Sequence, residues 1–510
     1  EVIGSTSSAQ YRHTTKTAQE IGTELGVRYL LEGKVRWAKG PGGTNRVRVS
    51  PELVDAGTAM DKWEQPFDAP LTDVFQMQST IAGEVAQELQ VALTPAAERA
   101  LASQPTTDLT AYDDYLRGEA LVDAGSAGSS ADHRVVMLFT EAVGRDPAFA
   151  LAWAALANAQ AQAYVNGVPG TALADSVDRN SAHALALAPN LAAAHIARAD
   201  FYFAIRKDPL AALREDSIAL VLAPRDVHTL RRTGDVEVTA GRWDAAEAHL
   251  AAAVRLDPRS AAADEELGDL EMLRRHYAQS RAALDRGVAL SPANLAVIDE
   301  RVMLSLMQGD LAGARAFLRS VPSSVDRNSL VAYLSTYQDL GWALDSSDAE
   351  RLLRLGPDAF DGDRGAWALA LAQQYGFRGD ARRARAYADT ARVELGAQVT
   401  ATPDDPQRNA LLGVALAYLG QRNAAIRVGQ RAAALLPIAR EAVLGSYIQH
   451  QLVRMYILLG EQERALDALE PLLRIPYALS PAWLRIDPNF APLRGNPRFE
   501  RLATDSTPVL

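Results

Sequence analysis

The sequence contains no cysteine. Disulfide bonds, zinc sites with thiolate ligands and cysteine nucleophiles are therefore excluded. The cellular compartment cannot be inferred from cysteine pairing, because an oxidising compartment and the cytoplasm both accommodate a chain without thiols.

Positive charge is also in deficit, since 52 Lys and Arg residues face 63 Asp and Glu residues and give a formal net charge of −11. A protein that binds nucleic acid through its phosphate backbone needs a basic surface. We therefore expect no nucleic-acid partner.

Long apolar runs are missing as well. A membrane-spanning helix needs about 18 or more predominantly apolar residues in a row. The longest candidate, residues 148–163, is interrupted by Asn158, Gln160 and Gln162. We expect no membrane span in this chain.

Aromatic residues make up only 6% of the 510 residues, whereas alanine and leucine are abundant and β-branched residues concentrate before residue 60. This distribution indicates a long helical region after a small α/β region. A chain of this length is too long for one ordinary core, but a solenoid avoids that limit because each repeat packs only against its neighbours.

The helical region carries a repeat of fixed length, because Pro224, Pro258 and Pro292 lie 34 residues apart. That period is typical of tetratricopeptide repeats (TPR), in which each unit is a pair of helices. Residues 230–258 form the clearest unit. Its small residues allow close helix packing, Gly241 turns the chain, and Pro258 ends the second helix; the small residues are Gly234, Ala246 and Ala253.

The predicted fold is mainly α: a TPR α-solenoid, coiled as a right-handed superhelix. We place the array at residues 109–476, with eight or nine repeats and an irregular section near residues 323–362. A linker at 96–108 precedes it, and a closing segment at 477–510 caps it.

Residues 1–95 are predicted to form the α/β domain. We expect a short strand at Val2 and Ile3, a helix at 17–25, a strand at 29–37, a hairpin loop at 40–45 and a second strand from 46. An extended stretch at 60–67 and an amphipathic helix at 74–93 follow.

Three stretches of this region carry a family resemblance: IGTELGVRYLLEGKVRW from residue 21, RVRVSPELVDA from residue 46 and DVFQMQSTIAGEVAQEL from residue 73. Together they resemble the TolB-like domain that precedes TPR arrays in many bacterial signalling proteins. The closing stretch LSPAWLRIDPNFAPLRGNPRFERL, from residue 479, resembles the C-terminal end of that family. In such relatives the pair often follows a serine/threonine kinase, a nucleotide cyclase or a winged-helix domain.

The resemblance implies an incomplete domain here, because a first strand and helix would normally precede Val2. We expect the open sheet edge to be completed by an upstream segment or by a neighbouring chain that adds a strand. No kinase, cyclase or winged-helix segment is present, so their chemistry does not transfer. A bacterial extracytoplasmic location, in the periplasm or at the cell surface, is favoured, and the cytoplasm stays open.

No catalytic, cofactor or metal site is predicted. The eight histidines are scattered, and none stands in the spacing of a metal-binding motif. We therefore expect no cofactor and no enzymatic activity.

The better candidate site is the groove lined by the first helix of each repeat. Alignment of the repeats places an acidic or amide residue at one position of successive first helices, and three further residues one turn earlier, on the same face. We predict a mostly acidic ladder that binds a basic or amide-rich peptide; the alternative is a solubilising surface. The first set is Asn158, Asp200, Asp235 and Asp269, and the second is Arg231, Glu265 and Asp299.

Three functions remain open. The first is a non-enzymatic scaffold that binds a protein or peptide. The second is self-assembly into an oligomer or filament, through the sheet edge at Val2 and Ile3 and through Trp483, Phe490 and Phe499, which either fold back over the last repeat or dock on another subunit. The third is a regulatory region of a longer kinase or cyclase.

Overall fold

A computed structural model of the chain describes residues 2–12, 14–39, 45–70, 73–91, 104–123, 129–166, 170–336 and 339–505. The predicted hairpin loop and most of the predicted linker lie outside these residues. Near the N-terminus, β2 pairs antiparallel with β1 on one side and with β3 and β4 on the other. The strands are β1 (Tyr29–Lys39), β2 (Asn45–Asp55), β3 (Met60–Glu64) and β4 (Phe67–Pro70).

Three helices accompany the sheet: α1 (Ser5–Ala9), α2 (Ala18–Leu25) and α3 (Val74–Glu88). The α2 helix begins where predicted because Thr17 and Glu20 form a capping box, and it ends at Gly26, whose φ of 66° is left-handed. The strands predicted at 29–37 and from 46, and the helices α2 and α3, are thus confirmed as elements.

The predicted strand at Val2 and Ile3 is wrong. Instead, the backbone N–H of Gly4 donates to the carbonyl of Leu256 at 2.8 Å, and that of Ser7 donates to Asp257 Oδ1 at 2.8 Å. The solenoid, rather than the sheet, satisfies the backbone of this segment. Glycine is required at position 4, because a Cβ atom there would lie 2.7 Å from Asp257 Cγ.

The remainder is a TPR α-solenoid, in which helices pack as consecutive antiparallel pairs. Among the described residues there are nine regular pairs and one irregular pair. The first helices of the pairs are α4 (Leu109–Asp123), α6 (Ala150–Asn166), α8 (Ala192–Asp200), α10 (Val227–Thr239), α12 (Ala261–Leu273), α14 (Leu295–Met307), α16 (Arg327–Thr336), α18 (Arg364–Phe377), α20 (Pro406–Tyr418) and α22 (Ala442–Leu458). Their partners are α5 (Ser129–Arg145), α7 (Thr171–Leu187), α9 (Pro209–Leu222), α11 (Trp243–Leu256), α13 (Tyr277–Leu290), α15 (Leu311–Ser320), α17 (Ser346–Leu352), α19 (Ala381–Ala401), α21 (Arg422–Leu435) and α23 (Gln462–Leu469).

Close packing inside a pair depends on glycine. A Cβ atom at Gly234 would lie 2.6 Å from Leu250 Cγ, and one at Gly268, 34 residues later, would lie 2.6 Å from Leu284 Cγ. The turn between the two helices uses a left-handed residue, such as Gly241 with φ 70°. The glycines that recur every 34 residues in the sequence therefore mark positions where the two helices of a pair approach closely.

The predicted irregular section is present at α16 and α17. Two short 3₁₀ segments, Leu340–Trp342 and Pro357–Phe360, interrupt the helix pair. Asp339 begins this interruption with a left-handed φ of 57°, which is uncommon outside glycine.

Asp339 is also the centre of a buried polar network. Its carboxylate accepts hydrogen bonds from Gln373 of α18 at 3.2 Å, and from Tyr447 and Gln451 of α22 at 3.1 and 2.8 Å. Arg454 of α22 completes the network with an ion pair of 2.9 Å, in which both side chains are at least 90% buried. The irregular segment is thereby tied to the last repeat.

The chain folds back on itself. Four equivalent turns, centred on residues 207, 241, 275 and 309, form one edge of repeats three to six, and the C-terminal part docks along them. Arg275 donates to the carbonyls of Leu473 and Leu479 at 3.0 and 3.2 Å, and Arg440 donates to those of Arg206 and Lys207 at 2.9 and 3.1 Å.

The closing segment continues this contact. Ser480 Oγ donates to the carbonyl of Met307 at 2.5 Å, and helix α24 (Pro481–Ile486) packs on α14; α25 (Pro497–Thr504) follows. Trp483, Phe490 and Phe499 retain exposed fractions of only 4%, 0% and 1%. Phe490 and Phe499 fold back over the last repeat, whereas Trp483 packs against Trp342 of the irregular pair. The expectation that these rings lie on an assembly surface is wrong, because they are buried in the core instead.

The buried pair gives a first prediction. Asn keeps the left-handed backbone available, so Asp339→Asn removes charge alone and leaves Arg454 buried without a counter-ion. We expect a loss of roughly 3–5 kcal/mol in the free energy of unfolding, measured by urea denaturation. Asp361→Asn is the matched control, since Asp361 is exposed and has a φ of 52°; equal losses in the two variants would contradict the role of the pair.

Candidate functional site

The first helices of the repeats line the inner surface of the solenoid. From α6 onward, each first helix contacts the first helix of the next repeat, whereas consecutive second helices make no comparable contact among the described residues. Side chains that project from the first helices therefore share one continuous surface, as the repeat alignment predicts.

The structure brings six of the seven predicted groove residues into electrostatic contact. The charges of Arg231 and Asp200 act on Asp235; those of Asp235 and Asp269 act on Glu265; and those of Glu265 and Asp269 act on Asp299. Asn158 lies apart from this chain of interactions. Asp235 is the most accessible member, since it is exposed to solvent.

Two arginines of α10 neutralise the first part of this surface. Arg231 donates two hydrogen bonds to Glu266 of α12, at 2.6 and 2.9 Å, in the fork geometry that a guanidinium and a carboxylate favour. Arg232 pairs in the other direction, with Asp200 of α8. The acids of α8 and one acid of α12 are thus already paired inside the chain.

The second part of the surface holds four carboxyls without a cation in their midst. We call Glu265 and Asp269 of α12, with Asp299 and Glu300 of α14, the carboxyl cluster. Only carboxyls act on Asp269, Asp299 and Glu300, and Arg301 beside them is held by Asp285 at 2.7 Å. The carboxyls of Glu300 and Asp269 interact, which raises the pKa of Glu300 and favours a proton on one of the two.

Burial and like charge raise the pKa values throughout the cluster. Desolvation, with the charges of Glu266 and Asp269, raises the pKa of Glu265 to about 8. Desolvation likewise raises the pKa of Asp269 to about 6, and the pKa values of Asp299 and Glu300 lie well above those of ordinary carboxyls for the same reasons. The cluster therefore holds protons near neutral pH.

Asp299 is the deepest member. Its exposed fraction is 2%, and its Oδ1 has no hydrogen-bond partner in the described part of the chain. Glu300 Oε2 is buried without a partner too. Buried carboxylate oxygens are normally paired, so these two oxygens are among the polar groups that the described part of the fold leaves unsatisfied.

Sequence reasoning missed several members of this surface. Arg232, Glu266 and Glu300 form a second row at the same 34-residue spacing, one position after the predicted row, and the repeat alignment contains that signal. Asp216 had no such signal, because it lies on a second helix. It is fully buried, neither oxygen has a hydrogen-bond partner in the described residues, and desolvation raises its pKa to about 7.

In the described ranges, no group of three or more histidine, aspartate or glutamate residues is placed to hold a metal ion. The same ranges contain no helix that is long and apolar enough to cross a bilayer.

Comparison with known proteins gives one curated relative. The chain is 32% identical to putative adenylate cyclase 3 of Rhizobium meliloti (strain 1021) over 160 residues, which cover 30% of this chain and 25% of that protein. The chain therefore matches a quarter of the length of that relative. No protein-family model matches the sequence.

Solved helical-repeat structures overlap parts of the chain. They include PilF of Pseudomonas aeruginosa, with 19% identity and a TM-score of 0.30 over 48% of this chain and 90% of that one. A thermophilic TPR protein of Thermus thermophilus has 19% identity and a TM-score of 0.33 over 38% and 99%. Human IFIT1, solved as a dimer with m7Gppp-AAAA, has 13% identity and a TM-score of 0.42 over 71% and 77%.

The raised pKa values predict how stability depends on pH. Between about pH 4.5, where unfolded carboxyls titrate, and about pH 8, the folded chain binds more protons than the unfolded chain. The free energy of unfolding should therefore fall as pH rises through this window. We expect the thermal midpoint to decline from about pH 5 to about pH 8, as measured by circular dichroism.

Glu265→Gln should flatten this decline, because it removes the titrating group whose pKa is raised to about 8. Asp244→Asn is the matched control, since the side chain of Asp244 is 94% exposed on α11. A decline that is as steep in Glu265→Gln as in the control would show that the carboxyl cluster is not its source.

Proposed function

We propose that this chain is a non-enzymatic scaffold that binds a polypeptide along the inner surface of its solenoid. The observation that carries the proposal is the continuous polar surface of α8, α10, α12 and α14. It offers exposed Asp235 beside half-buried acids, on helices that contact one another directly. A rigid array of this kind presents many side chains at fixed spacing, which suits an extended peptide.

The chemistry of this surface favours a basic or amide-rich ligand. Its acids outnumber its two arginines, and both arginines already pair with acids of the same chain. An acidic peptide would face repulsion, whereas lysine, arginine or amide groups would find acceptors.

The proposal includes a bacterial signalling or envelope setting outside the cytoplasm. The match to part of a putative adenylate cyclase supports a regulatory role beside a cyclase or kinase.

A charge-reversal experiment tests the scaffold. Peptides are selected from a random display library on the wild-type chain and then titrated against an Asp235→Lys and Asp269→Lys double variant. We expect the selected peptides to lose about tenfold or more in affinity, because the new charges repel basic ligands. Asp200 is left unchanged, since it holds buried Arg232.

The matched control reverses two acids of the second helices, Asp244→Lys on α11 and Asp389→Lys on α19, whose side chains are 94% and 58% exposed. It makes the same change in net charge on the outer face and should leave peptide affinity unchanged. Peptides that bind all three proteins equally would contradict binding on the inner surface.

Self-association is a second candidate, favoured by the outer edge of β1. This strand of 11 residues pairs only with β2 in the described sheet, and Leu31 and Val35 are 54% and 53% exposed. Antiparallel pairing of two copies about Gly33 would place Leu31 opposite Val35 and Glu32 opposite Lys34. The two positions on either side of Gly33 then gain an opposite-charge pair and an apolar pair.

Charge swaps test this pairing. Glu32→Lys alone or Lys34→Glu alone would place like charges opposite each other, whereas the double swap restores opposite charges. By light scattering behind size exclusion, we expect a mass of two chains for the wild type and the double swap, and one chain for each single variant. A wild-type mass of one chain, or dimers that persist in both single variants, would contradict the pairing.

A further inference from the structure

The carboxyl cluster of α12 and α14 has the properties of a site for one cationic side chain. Asp299 retains an exposed fraction of only 2%, and its Oδ1 has no hydrogen-bond partner in the described part of the chain. Its neighbours Glu265, Asp269 and Glu300 are half-buried, and Asp235, whose charge acts on Glu265, is exposed. A deep acceptor beside partly accessible carboxyls suits a long cationic side chain.

Comparison of equivalent positions in consecutive repeats shows that the carboxyl cluster lacks the arginines of the preceding repeat. In the preceding repeat, the equivalent positions carry Arg231 and Arg232, and Arg231 grips Glu266 with two hydrogen bonds of 2.6 and 2.9 Å. In the next two repeats the same positions carry only acids. The fold thus builds guanidinium–carboxylate pairs between α8, α10 and α12, and it presents carboxylates without a guanidinium between α12 and α14.

We propose that the carboxyl cluster binds the guanidinium group of an arginine side chain from a bound polypeptide, and that this group displaces the proton shared by Asp269 and Glu300. The inference rests on the proposed function, since it assigns the ligand chemistry of the same inner surface. A guanidinium offers donors in a planar fork to several carboxylates at once and is more weakly hydrated than an ammonium, which suits a buried acceptor such as Asp299. The carboxyls are not gathered for a metal ion in the described ranges.

Proton release is the signature of this exchange. The charged groups that act on the cluster come from α10, α12 and α14. Arg231, Asp235 and Glu266 act on Glu265, and only carboxyls act on the other three members. A bound guanidinium lowers the pKa values of the carboxyls around it, so protons pass to the buffer on binding and affinity rises with pH.

The test uses an acetylated, amidated tetra-arginine peptide and isothermal titration of the full chain, in two buffers of different ionisation enthalpy. We expect binding about tenfold tighter near pH 8 than near pH 6, with net proton release. The matched citrulline peptide, which keeps the shape and loses the charge, should bind about tenfold more weakly or worse. A tetra-lysine peptide should bind more weakly than tetra-arginine, and equal binding would contradict the guanidinium assignment.

Two isosteric changes, Asp269→Asn with Glu300→Gln, should remove most of the arginine affinity and the proton release while keeping the fold, because they relieve like-charge repulsion. Asp244→Asn with Asp389→Asn, on the outer face, is the control for net charge and should bind like wild type. Retained affinity and proton release in the first variant would overturn the proposal.

The outcome separates this inference from the scaffold itself. If library-selected peptides depend on Asp235 and Asp269 but arginine and citrulline peptides bind equally, the inner surface binds peptides and the arginine site is wrong. If neither dependence is seen, both proposals fail.

Discussion

The ion pair between Asp339 and Arg454 holds the irregular helix pair against the last repeat. Asp339 lies where the regular helix pairs are interrupted, and Arg454 belongs to the first helix of the last repeat, so the ion pair joins segments more than a hundred residues apart. Two charges buried this deeply are tolerated only with several hydrogen bonds, which Gln373, Tyr447 and Gln451 supply. The irregular segment is therefore held against the last repeat by buried electrostatic contacts, and the C-terminal part also contacts the earlier repeats through Arg275 and Arg440.

The return of the chain decides which part of the solenoid stays accessible. The C-terminal part covers the turns centred on residues 207, 241, 275 and 309, and it contributes Val443 to the core beside Val238 and Leu270. Asp235 of α10 and Asp269 of α12 each lie six residues before the centre of the following turn. The C-terminal part thus closes the array along its turn edge, while Asp235 remains exposed.

The sequence was sufficient to predict the helical repeats, but not the contacts by which the C-terminal part docks on the earlier repeats. The 34-residue spacing of Pro224, Pro258 and Pro292 predicts helix pairs because packing at positions such as Gly234 is local. The contacts of Arg275 and Arg440 span 198 to 234 residues and depend on the twist accumulated over many repeats, which no local pattern encodes. The strand expected at Val2 and Ile3 failed for the same reason, since the backbone partner of Gly4 is Leu256. The row of Asp200, Asp235 and Asp269 and the row of Arg231, Glu265 and Asp299 were visible in the alignment. The pairing of Arg231 with Glu266 and of Arg232 with Asp200 became apparent only in the structure.

The acids of the inner surface that lack a cationic partner affect the stability of the fold. Desolvation and like charge oppose ionisation of Glu265, Asp269, Asp299 and Glu300, so near neutral pH these carboxyls lower the stability of the fold relative to neutral isosteres. Both helices also contribute buried apolar side chains to one core cluster, Met272 from α12 and Val302 and Leu304 from α14. A bound cation converts the same arrangement into a favourable one: it relieves the repulsion, satisfies the buried oxygens of Asp299 and Glu300, and releases protons. In the free protein these carboxyls lower the free energy of unfolding, and a bound cationic ligand removes that penalty. Because the penalty depends on how many of the carboxyls are protonated, affinity for such a ligand depends on pH.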